Sequence, residues 1–74
     1  MWERGIVKTV KQEKGFCFIK PADGYGPDLF AHVRAFDRSI PFDGNLVGKI
    51  VEFEAAINPK TGRHHAQSVR PVTA

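Results

Sequence analysis

Cysteine is nearly absent from this chain, and that removes several functions at once. Cys17 stands alone among the 74 residues, so no internal disulfide framework can form and no cysteine cluster can nucleate a zinc site. No apolar run approaches the ~20 residues of a membrane span, and Met1-Trp2-Glu3-Arg4 carries no apolar signal region. A soluble, cytoplasmic protein with no membrane partner is the expectation. Internal repeats, low-complexity tracts and linkers are missing too, and the length allows a single domain, 1–74.

Enzyme signatures are equally scarce. Gly24-Tyr25-Gly26-Pro27 is too short to cradle a phosphate, and no helix follows it. Glu52 and Glu54 share a strand face without a cleft to serve. His64 and His65 are adjacent, so their rings point to opposite faces of a strand and do not jointly chelate a metal; both read as surface residues. Cys17 has no basic partner in its pattern and reads as a small core hydrophobe. No set of base, nucleophile and oxyanion donor is assembled. The expectation is therefore no catalytic residue, no metal and no cofactor.

What is present is short β-strand pattern. A chain this small buries only about 60% of its unfolded surface, but 42% hydrophobic residues suffice for one small core. Seven Gly and five Pro among short apolar runs point to an all-β domain with many turns. Strands are expected over 4–12, 16–20, 28–33, 49–57 and 64–72. Ile6 and Val7 are adjacent apolar residues, so a bulge near Gly5 or Lys8 is expected in the first strand. In the last, Ala66 and Val69 both read as inward at a spacing that breaks alternation, which asks for a bulge or a misplaced strand end. The fourth should place Val51, Phe53, Ala55 and Ile57 on one face. The segment 34–47 is irregular, with one short helical turn expected near Ala35 to Arg38. Asn58-Pro59-Lys60-Thr61-Gly62 is a strong turn. Strands at intervals of roughly ten residues favour a barrel over an open sheet.

Two segments carry the functional signal. In Lys14-Gly15-Phe16-Cys17-Phe18-Ile19 the period of two puts Phe16 and Phe18 on one face, with Cys17 and Ile19 on the other. In Asp28-Leu29-Phe30-Ala31-His32, Phe30 and His32 oppose Leu29 and Ala31. A hairpin centred on Gly24 pairs Phe18 with Phe30 and Phe16 with His32, all on one surface. Three phenylalanines and a histidine outside the core are explained by bases stacking on them. The competing explanation is that the segment 34–47 covers them, with Phe36 or Phe42 packed on top.

These two segments resemble the two RNP-type motifs of the cold-shock domain, in the family's order and spacing. The resemblance extends from Gly5-Ile6-Val7-Lys8 to Gly48-Lys49-Ile50-Val51-Glu52-Phe53 and on to Ala66 through Val69. It implies a five-stranded antiparallel Greek-key barrel of the OB-fold type that binds single-stranded RNA or DNA on its second and third strands, and acts as an RNA chaperone. It further implies that Lys8 and Lys14 flank the platform and meet phosphates, and that His32 belongs to the platform. Arg34 stands where the family usually has Ser and extends the basic rim; Lys60 and Arg63 bracket the last hairpin. Where cold-shock domains commonly have two aromatics in the first strand, this chain has Thr9 and Val10. That loss is equivalent to about 2–6 kcal/mol of stacking. Trp2, Tyr25 and Phe42 are the flanking aromatics that could compensate, Phe42 being best placed by chain order. A second reading from the same thinning is a barrel that associates with itself or another protein and binds nucleic acid weakly; a monomer is the expected state.

Overall fold

Five strands follow from the β-branched and alternating segments: β1 (Glu3–Lys11), β2 (Phe16–Pro21), β3 (Leu29–His32), β4 (Ile50–Ile57) and β5 (His64–Pro71). The structure, a computed structural model, describes residues 2–24 and 26–72. The strands close into a barrel in the order β1-β2-β3-β5-β4, with β4 pairing back onto β1. The β1-β2-β3 meander with β4 returning beside β1 is a Greek-key arrangement.

Four of the barrel's five strand pairings are antiparallel, as the resemblance implies, and the fifth is not. β3 and β5 run parallel, pairing Phe30 with His65 and Ala31 with Ala66. The reason is topological: a closed ring of an odd number of strands cannot alternate direction all the way round, so one neighbouring pair must be parallel. Here that pair is the one reached through the long segment between β3 and β4.

Both expected bulges are present, and each resets which side chains face inward. In β1 the register passes from Val7↔Ile19 to Thr9↔Phe18, leaving Lys8 as the extra residue. Val7 is thereby buried while Thr9 and Lys8 face solvent. Between β4 and β5 the register passes from Glu54↔Ser68 to Ala55↔Ala66, so Gln67 is extra. Ala66 and Val69 both point into the core as a result.

The core joins Val7, Cys17, Ile19, Ala31, Val51 and Phe53 with Leu29, Leu46, Ala66 and Val69. Phe53 is its largest fully buried side chain. Gly5 pairs with Pro21 on one side and Val51 on the other, where β1 is held by two neighbours at once. A Cβ there would sit 2.5 Å from Ile19 Cγ2 and 2.8 Å from Phe53 Cε1, so only glycine lets the strands approach this closely.

Two details of the connecting segments differ from expectation. The helical turn lies at Val33–Ala35, capped by His32, and a second one forms at Gly44–Leu46, capped by Asp43. Each starts where a side chain accepts the first free backbone N–H. Ile57 is 58% exposed rather than inward, because the β1–β4 ladder ends at Glu3↔Phe53 and β4 runs on beyond any opposing wall.

Candidate nucleic-acid interface

Alternation along β2 and β3 sends Cys17, Ile19, Leu29 and Ala31 inward, which forces their neighbours out. The hairpin register pairs Phe16 with His32 and Phe18 with Phe30, as a turn centred on Gly24 requires. The three phenylalanine rings touch: Phe16 and Phe30 lie 5.0 Å apart and tilted by 34°. Phe18 stands nearly edge-on to both, at 5.8 Å from Phe16 and 6.1 Å from Phe30. These are favourable aromatic separations, so the cluster is held by mutual contact as well as by the strands beneath it. Phe30 is 39% exposed, and Phe16 and Phe18 are half-buried.

The segment 34–47 turns its rings elsewhere. Phe36 and Phe42 pack against each other at 5.3 Å and against the core, and Phe36 bridges to Val69. The ring contact that Phe42 makes is thus with Phe36 and not with the platform. Trp2 lies with its ring 3.8 Å from the Arg70 guanidinium, which in turn donates to Glu52 at 2.9 Å. It serves the β1–β4–β5 side of the barrel. Tyr25 falls outside the described residues. The two rings missing at Thr9 and Val10 are therefore not replaced by Trp2 or Phe42 at the same place.

His32 is fixed by its own backbone: its Nδ1 accepts the Arg34 N–H at 3.1 Å, which leaves Nε2 for a ligand. Gly15, with φ of 75°, makes the tight turn before β2, and its carbonyl accepts the Val33 N–H at 2.8 Å. That bond ties the ends of the platform strands together. Lys8 on the bulge, Lys14 in the β1–β2 turn and Arg34 in the turn after β3 are all exposed, and among the described residues none of them forms an ion pair with a carboxylate. Lys60 sits in the β4–β5 turn, where its N–H donates to Asn58 Oδ1 at 2.9 Å.

Two features of this surface escape a local reading of the sequence. A hollow of about 410 Å³ separates the platform from the β4–β5 turn, walled by Phe18, Phe30, Asp28, Arg63, His64 and His65 among others. Arg63 lines it; Lys60 does not. His65 is half-buried, not the free surface residue that its place in the sequence suggests. Only the β3–β5 pairing brings it beside Phe30, and no local pattern signals that pairing. Cys17 is fully covered, and burial pushes its thiol up to about 11, which removes it as a nucleophile.

A five-stranded Greek-key barrel with an outward ring cluster on β2 and β3 and cations around it defines the oligonucleotide-binding class of barrel. Comparison with known proteins narrows this. The family described as 'Cold-shock' DNA-binding domain matches residues 3–72. The chain is 38% identical to the cold shock-like protein CspD of Escherichia coli over 73 residues, 95% of this chain and 89% of that one. The same figures hold for the CspD of Shigella flexneri. It is 47% identical to glycine-rich protein 2 of Nicotiana sylvestris over 51 residues, 69% of this chain but 23% of the plant protein. The chain belongs to the cold-shock DNA-binding domain family.

Proposed function

We propose that this protein binds single-stranded RNA or DNA by stacking unpaired bases on Phe16, Phe18, Phe30 and the ring of His32. Lys8, Lys14 and Arg34 meet the backbone phosphates, and Lys60 acts at the margin of the same surface, whereas Phe42 packs on Phe36 and the core. By holding segments unpaired it acts as an RNA chaperone. It works without a cofactor and without catalysis, as a cytoplasmic monomer of one domain. The observation that carries this reading is the contact of three half-exposed rings outside the barrel. Water gains little from wetting such a surface, and each base laid on it contributes about 1–3 kcal/mol. Several such contacts offset the ordering of a flexible strand. Membership of the family supports the reading; the self-association alternative has no comparable observation behind it.

The test is direct. A Phe16→Ala/Phe18→Ala/Phe30→Ala variant that keeps its fold, titrated with a short oligopyrimidine strand, should lose most of the affinity of the wild type. Equal affinity would falsify the proposal. Sedimentation of the wild type should show a monomer whose mass does not change with concentration.

A further inference from the structure

Register places one residue from each strand in a single row across the outer surface. Thr9 stands beside Phe18, Phe18 beside Phe30, Phe30 beside His65 and His65 beside Ala56. Thr9, at the β1 end, offers no ring. The ring surface that thins out toward β1 therefore continues, through His65, onto β5.

His65 also separates two hollows. One is the space of about 410 Å³ toward the β4–β5 turn, bordered by Arg63. The other, of about 280 Å³, lies toward His32 and Arg34. Phe30 and His65 belong to the walls of both. The Nδ1 of His65 is covered and has no hydrogen-bond partner among the described residues, a state that native structures seldom tolerate without a reason. His32 differs: its Nδ1 is bonded to its own turn, and its orientation is set. Nothing of that kind pins the imidazole of His65, so rotation about Cβ–Cγ can bring a ring nitrogen toward either hollow.

We propose that His65 is the fifth ring of the stacking surface, after Phe16, Phe18, Phe30 and His32, and a base-reading residue. The nucleic-acid strand leaves the platform over β5, between Phe30 and the β4–β5 turn. A ring nitrogen of His65 bonds the edge of the base that lies on Phe30. Arg34 and Arg63, one at each hollow, meet the phosphates on either side. This rests on the nucleic-acid reading above, and it gives that reading a direction across the barrel and a residue that distinguishes bases.

The experiment titrates short oligothymidine, oligocytidine and oligoadenine strands into the wild type, His65→Ala, His65→Phe and Phe30→Ala proteins, each checked for an unchanged melt. His65→Ala should weaken binding about 5- to 150-fold, the equivalent of one stacked base. His65→Phe should recover most of that affinity, because it restores a ring, but the order of preference among the three strands should flatten. In the wild type the His65 ring resonances should shift on titration. The proposal is overturned if His65→Ala binds like the wild type while Phe30→Ala is weakened, if His65→Phe loses as much as His65→Ala, or if the His65 resonances stay put. Should neither His65→Ala nor Phe30→Ala weaken binding, the stacking reading itself fails along with it.

Discussion

Gly5 lies directly beneath Ile19: a methyl group added to the glycine would come within 2.5 Å of the isoleucine Cγ2 and 2.9 Å of the Lys20 carbonyl oxygen. Backbone cannot yield as a side chain does, and Phe53 closes the third side at 2.8 Å. Gly5→Ala therefore overpacks the point where β1 is gripped by β2 and β4. A loss of about 2–3 kcal/mol is expected, read as a fall in Tm of about 10–20 °C. A melt unchanged from the wild type would show that the strands are not this close.

Thr9 is the place to rebuild the platform. It faces solvent next to Phe18, so Thr9→Phe adds a ring at the β1 end of the row. Oligonucleotide binding should tighten by about 1–3 kcal/mol, with little change in the melt. A Val10→Phe change should not do the same, since Val10 packs against the core; its expected effect is on stability. Equal gains from both variants would contradict the β1 register.

The charged rim predicts a modest salt dependence. With about three phosphates neutralised on a single strand, log K should fall against log salt with a slope of about −2. Lys14→Ala should flatten that slope by about 0.7 while leaving base preference intact. A slope several times steeper would mean that charge, not stacking, holds the strand.

Cys17 gives stability an alkaline limit. Its thiol ionises at about 11 in the folded chain against 9.0 for the free group, because burial disfavours the thiolate. Between those values the unfolded chain has lost the proton and the folded one has not, so stability must fall as pH rises from about 9 to about 11. The shift corresponds to about 2–3 kcal/mol at the upper end. Cys17→Ala is less stable overall at neutral pH but lacks this component of the decline, and urea titrations at pH 8 and pH 10.5 separate the two. A thiol reagent should label native Cys17 only as fast as the barrel opens.

Trp2 is the only tryptophan, and it stacks on Arg70 away from the ring cluster. Its emission should hold steady through an oligonucleotide titration, and Trp2→Ala should leave affinity unchanged. The same change should lower stability by about 0.5–1 kcal/mol through the lost cation–π contact. Strong quenching by the ligand would place Trp2 on the binding surface instead.

Much of the site was legible because its information is local. The alternation in Phe16-Cys17-Phe18-Ile19 and Leu29-Phe30-Ala31-His32 decides which side chains leave the core, whatever surrounds them. The Gly24-centred turn then sets Phe18 against Phe30. The crowding of Ile6 with Val7, and the spacing of Ala66 from Val69, announced bulges for the same reason: inward residues that break the period need an extra residue to reset it. Phe42 was less legible. Chain order placed it near the platform, but whether it meets those rings or Phe36 depends on how the segment 34–47 folds back.

By itself, then, the sequence determined the strands, their two faces, the β2–β3 register and the kinship with cold-shock domains, all properties of residues near one another along the chain. Only the tertiary structure decided that β3 meets β5 in parallel, that His65 stands beside Phe30, and that Ile57 is left outside. Those outcomes depend on closing a ring of five strands, and closure joins residues that no local period connects.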